Sequence, residues 1–217
     1  MALAGDTTAA ELSFGVEGAA PLDYAAVPTL AFRLQVENAG SAPIRSVLLD
    51  AQIQIAARLR SYGAREQERL HDLFGTPERW RDTLRTLPWT RLTVVVPPFN
   101  GSTVVALPVV CTYDLEVSAA SYLAALDGGE VPLELLFSGT VFYSGPDGRL
   151  QAERIAWCNE ATYSLPVRVW RETMDRHFPG SAWLRLSRSS YDRLRAYRAR
   201  NALPSWDEAV DRLLGAE

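Results

Sequence analysis

Asp114 and Glu116 stand two residues apart in the alternating stretch TYDLEVS. On an extended strand, that spacing puts both carboxylates on one face. Such a pair can divide acid and base roles or hold a divalent cation. The division needs an apolar pocket to separate the two groups, and the flanking residues give no sign of one. Asp114 and Glu116 therefore read as solvent-facing strand residues.

The remaining reactive side chains are few. There are two Cys, Cys111 and Cys158, and two His, His71 and His177. A closed zinc site takes about four such ligands at short paired spacings. These four stand singly, so no metal is expected. Both Cys lie in apolar, strand-like runs and read as small buried hydrophobes. His177 falls near the end of an amphipathic helix, where a charged imidazole suits the helix dipole. Neither a nucleophile elbow nor a dinucleotide fingerprint is present. All 22 basic residues are Arg. Without lysine there is no Schiff base, no P-loop lysine and no kinase strand lysine. The expectation is a protein that is not an enzyme, with no catalytic residue and no cofactor.

The elements that would position any site must come from a chain of 217 residues, 47% of them hydrophobic, with net charge −4. A chain this long buries roughly 70% of its unfolded surface and needs no staple. The first ten residues lack the pattern of a signal peptide, and no apolar run reaches the roughly 18 residues of a membrane span. A cytoplasmic location is the expectation.

Period-2 alternation dominates. Leu30, Phe32, Leu34 and Val36 alternate with Ala31, Arg33, Gln35 and Glu37, the mark of a strand with one wet face. Ala51, Ile53 and Ile55 repeat it, and the turn-like Asn38-Ala39-Gly40-Ser41 between the two runs points to an antiparallel pair. Residues 64–87 switch to helical spacing, with Leu70, Leu73 and Phe74 on one stripe and Trp80, Leu84 and Leu87 on the next. Gly75 is the stop between them, and Thr76-Pro77 starts the second helix. Strands return at 91–118 and from Val131 to Tyr143, then over 149–158 after the turn Gly145-Pro146-Asp147-Gly148. A helix carries Trp170, Met174, His177 and Phe178 on one face. A short strand at 183–187 precedes a helix over 189–200 and a last helix capped by Ser205 and Glu208. The fold class that follows is α+β, mainly β. It is an antiparallel β-sandwich over 11–160 with a helical insertion at about 64–87, and a helical C-terminal extension over 161–217 packs on it.

Charge is placed unevenly. No basic residue lies between Arg91 and Arg149, a stretch that holds Asp114, Glu116, Asp127, Glu130, Glu134 and Asp147. The segment 185–200 carries Arg185, Arg188, Arg193, Arg195, Arg198 and Arg200 against Asp192 alone. Either surface can steer a partner electrostatically. Trp80, Trp170 and Trp206 fall on apolar stripes. Trp89 and Trp183 sit beside element ends, where a docked protein uses such rings as anchors. The candidate partner-binding residues are therefore Trp89, Trp183, Arg185, Arg188, Arg195, Arg198, Asp114 and Glu116.

The final stretch, WLRLSRSSYDRLRAYRARNALPSWDEAVDRLL, resembles a ribbon–helix–helix unit. Such units dimerise and set strand residues in the DNA major groove. That resemblance implies a DNA-binding regulator working through 183–214. The bulk of Trp183 on the reading face and the long β domain before the unit both oppose it. An enzyme of unidentified reaction is the remaining alternative.

Five further stretches carry a broader resemblance: YAAVPTLAFRLQVENAG, LFGTPERWRDTLRTLPWT, CTYDLEVSAASYLAALDGGEVPLELLFSGTVFY, VWRETMDRHFPGSAWLRL and ALPSWDEAVDRLL. Together, over residues 12 to 215, they are similar to an actinobacterial protein family of unknown function whose genes often lie beside those of nickel–iron hydrogenases. The resemblance implies an accessory or scaffold role. It makes hydrogenase subunits or maturation factors the expected protein partners, in place of nucleic acid or membrane, with a homo-oligomer as a further form.

Overall fold

A computed structural model describes residues 10–112, 114, 117–156, 159–181 and 185–215. Among the described residues, eight strands form two antiparallel sheets. The first sheet holds β1 (Leu12–Pro21), β2 (Thr29–Asn38) and β5 (Ser102–Val110) in the order β1-β2-β5. The second holds β4 (Leu87–Val96), β3 (Ile44–Ile55) and β6 (Glu130–Ser144), in that order. Beside β6 lie both β7 (Leu150–Arg154) and β8 (Glu160–Pro166), the first on its C-terminal half and the second on its N-terminal half. The mainly β, antiparallel architecture agrees with the alternation read in the sequence.

The two alternating runs do not pair with each other. β2 pairs β1 and β5, whereas β3 pairs β4 and β6. The short connection between them crosses from one sheet to the other. The Asn38 side chain holds that crossing, accepting from the Glu11 and Gly40 amides and donating to the Ala42 carbonyl. The physical reason lies in the faces. Leu30, Phe32, Leu34 and Val36 on β2 and Val47, Leu49, Ala51, Ile53 and Ile55 on β3 are all fully buried. Two apolar faces can both be buried when they meet across a core in two stacked sheets. The other half of the core comes from Leu107 and Val109 on β5 and from Val131, Leu133, Leu135 and Phe137 on β6. Phe14 of β1 stacks on Phe137 at 4.5 Å between ring centroids.

The helical insertion is broken into short pieces: α1 (Ala64–Arg69), α2 (His71–Phe74) and α3 (Trp80–Thr83). Gly75 ends α2 with φ 73° and ψ −162°, an extended positive-φ conformation open to glycine, in place of the left-handed helical cap expected there. The second predicted stripe ends early. Leu84 caps α3 and Leu87 already opens β4, because Pro88 cannot continue a helix. The strand expected over 112–118 is also not formed in its described residues. The amide of Asp114 bonds the Thr112 hydroxyl in a local turn, and α4 (Ser118–Ala125) begins four residues later. α5 (Val167–His177) follows β8 directly and buries Val167, Val169, Trp170 and Met174.

The chain divides into two compact units between Ala182 and Trp183. β8 and α5 thus belong to the first unit, and the second begins later than the residue-161 start of the extension read from the sequence. The second unit carries α6 (Arg188–Arg200) and α7 (Trp206–Leu214). Both starts follow the sequence. Ser187 caps α6 by accepting from the Ser190 amide, and Ser205 caps α7 by accepting from the Glu208 amide at 3.1 Å.

Candidate functional site

The second unit is short on core. No α6 side chain is buried, and α7 buries Ala209 alone. Among the described residues an aromatic clasp joins the two helices. Tyr191 and Trp206 lie 5.7 Å apart between ring centroids, and the Arg198 guanidinium lies 4.1 Å above the Trp206 ring. That geometry is a cation–π contact. The turn closes with the Leu203 amide on the Arg198 carbonyl and with Ala202 at φ 51°.

These contacts sort the arginines singled out in the sequence. Arg198 is tied to Trp206 and holds the hairpin together. Arg188 and Arg195 are exposed and stand two turns apart, on one face of α6. Arg185 is exposed in the segment before that helix. The strand expected at 183–187 is not formed at residues 185–187, its described part. Trp183 lies outside the described residues, as does Glu116.

Two further candidates, Trp89 and Asp114, belong to the first unit. Trp89 packs against the sandwich core, edge-on to Phe32 at 6.0 Å. Asp114 sits in the coil after β5, and its carbonyl accepts from the Val117 amide. The acidic middle of the sequence is likewise spread out. Asp127 pairs with Arg69 at 2.7 Å, Asp147 pairs with Arg149 at 3.5 Å, and Glu134 lies mid-strand on β6.

The site read from the sequence includes none of the residues that line a second surface of the hairpin. On another face of α6, a groove of about 660 Å³ is lined by Leu186, Arg193, Leu194, Tyr197, Arg200 and Leu213, among others. The spacing that gives it away is Arg193 and Arg200 one heptad apart, with Leu194 and Tyr197 an i, i+3 pair between them.

The first unit carries a wider cleft, about 830 Å³, between the loop Asp127–Glu130 and α5. Two of its three cations are engaged. Arg171 donates to the carbonyls of Leu126 and Asp127, and Arg176 pairs with Asp23 and Glu172. Deeper in the same unit, the hydroxyls of Tyr62 and Tyr122 lie 2.7 Å apart. Burial pushes both phenols up, Tyr62 the further, so they stay protonated and form a structural hydrogen bond. Among the described residues no group of three or more His, Cys, Asp or Glu could hold a metal ion. Among them, too, no helix is long and apolar enough to cross a membrane.

Comparison with known proteins gives a family and loose structural likenesses. The CARDB domain of the PF1109 protein from Pyrococcus furiosus, solved in complex with di-metal ions, is 11% identical. Its TM-score is 0.29, over 72% of this chain and 92% of that one. An ApaA-type protein from Bordetella pertussis is 13% identical with a TM-score of 0.26, over 72% and 95%. A β-glucosidase from Kluyveromyces marxianus is 12% identical with a TM-score of 0.25, over 71% of this chain and 15% of the enzyme. Likenesses this loose carry nothing about function. No curated protein matches the sequence. The profile of a family of unknown function (DUF6084) matches residues 9–217, so the chain belongs to that family.

Proposed function

We propose that the chain is a non-enzymatic accessory or scaffold protein of the actinobacterial cytoplasm. It binds another protein, a subunit or maturation factor of a nickel–iron hydrogenase system. The observation that carries protein binding is the exposed basic face of α6. Arg188 and Arg195 stand on one face, preceded by Arg185, on a helix with no buried side chain. A stripe of guanidiniums on an exposed rigid helix steers an acidic partner and fixes its register. The hydrogenase assignment rests on the family resemblance read in the sequence, which implies a place beside hydrogenase genes.

The test is affinity purification of the full chain from its native host, with mass spectrometry of what accompanies it at low and at high salt. Hydrogenase subunits or maturation factors are expected at low salt, and their loss is expected at high salt, because exposed charge pairs are screened. Nucleic acid with no protein partner, and an affinity that falls steeply with salt, overturns the reading in favour of a DNA-binding regulator.

A further inference from the structure

We propose that the groove beside α6 receives α7 of a second copy of this chain, so that two hairpins pair face to face. The contact is distinct from the Arg188–Arg195 face and from any partner bound there.

The need for a cover comes from the apolar residues. Leu186, Val210, Leu213 and Leu214 are 39%, 41%, 45% and 71% exposed. All four fall within residues 185–215, whose two helices bury a single alanine. Helices of nine and thirteen residues draw most of their stability from packing an apolar face. Within the described residues of the second unit this face is unpacked.

The identity of the cover comes from charge. The groove lining holds Arg193 and Arg200 and no carboxylate. On α7, Val210 and Leu214 stand one turn apart, and Asp207 and Asp211 form the adjacent row, also one turn apart. One helix thus presents an apolar row beside a carboxylate row. The groove presents an apolar floor, Leu194 and Leu213, beside a guanidinium row. The two surfaces are complementary and both belong to this chain. In a two-fold contact each copy supplies both, so the interaction is made twice and closes without open ends. Val210 and Leu214 of one copy fill the groove, and Asp207 and Asp211 reach Arg193 and Arg200 of the other.

The test is sedimentation equilibrium of the full purified chain over a range of concentrations. The expected species has twice the 24.0 kDa chain mass. Arg193→Glu with Arg200→Glu is expected to weaken association about tenfold or more, and adding Asp207→Arg with Asp211→Arg in the same chain is expected to restore it. All four positions are exposed, so these variants keep the fold, which circular dichroism checks. Leu213→Glu is expected to give a monomer. A wild-type chain that stays monomeric at about 100 μM, far above the micromolar range of specific contacts, overturns the proposal. So does a reversed-charge variant that dimerises as wild type. Uptake of an acidic amphipathic peptide by a monomeric wild-type chain assigns the groove to a different protein and overturns it equally.

Discussion

Arg60 and Glu66 form a buried ion pair, Nη2 to Oε1 at 2.9 Å, with side chains 11% and 7% exposed. Each partner reaches beyond the pair. Arg60 donates to the carbonyls of Gly128 and Glu130, and Glu66 accepts from the amides of Gly63 and Asp127. The pair therefore fastens the helical insertion to the loop between α4 and β6.

Removing one partner leaves the other as an uncompensated buried charge. Glu66→Gln is expected to cost about 3 kcal/mol of stability, read as a lower urea midpoint. Burial alone would raise the Glu66 carboxyl, but the hydrogen bonds from Arg60, Asp127 and Gly63 and the Arg60 charge outweigh it and hold the group below its ordinary 4.5. A depressed carboxyl stabilises the fold above that ordinary value, and the contribution disappears as pH falls through the folded value. The gap between wild type and Glu66→Gln is expected to narrow as pH drops below 4.5. A gap independent of pH contradicts the ion pair.

Cys111 is 4% exposed, and burial pushes its thiol up to about 12. The thiolate is the reactive form. A maleimide or disulfide reagent at pH 8 is expected to leave the Cys111 peptide unlabelled in the folded chain and to label it fully in denaturant. Peptide mapping by mass spectrometry decides it, and fast native labelling contradicts the packing.

Gly139 lies where β6 changes partner from β8 to β7. Its φ is +142°, and a Cβ there would come 2.0 Å from the Leu48 carbonyl oxygen on β3. Gly139→Ala is expected to destabilise by about 3 kcal/mol through that clash and the backbone strain. An unfolding midpoint equal to wild type would show that the strands approach less closely.

Tyr24 shows the opposite case. It is fully exposed at φ 58°, in the loop before β2 that Arg176 holds through Asp23 and His177 meets at the Ala25 carbonyl. An L residue in that conformation costs about 1 kcal/mol. Tyr24→Gly is expected to leave stability unchanged or raise it by a few tenths of a kcal/mol, once glycine's extra backbone entropy is counted. A clear loss in the thermal midpoint would mean that the ring makes contacts in solution.

Much of the sandwich was legible because alternation is a local property. The period-2 runs at Leu30–Val36 and Ala51–Ile55 mark buried faces whatever the topology. Which strand lies beside which is not local. The same alternation serves a hairpin and a crossing between sheets, and the Asn38 side chain that fixes the crossing has no signature apart from an ordinary turn. The cap at Ser205 marks the start of α7, since capping depends on adjacent residues, whereas Ser187, read as the end of a strand, proves to cap α6. The candidate site was legible in part. Arg188 and Arg195 stand out by composition. The commitment of Arg198 to Trp206, and of Trp89 to Phe32, depends on residues brought together by folding.

A charge-reversed bait tests most directly whether the basic face of α6 holds a protein partner. Arg188→Glu with Arg195→Glu changes two exposed residues that the hairpin clasp does not use. Purified side by side from the native host at low salt, the wild-type chain is expected to bring down hydrogenase components and the variant to lose them, with both chains equally folded. Recovery of the same partner in equal amount by both baits contradicts the account.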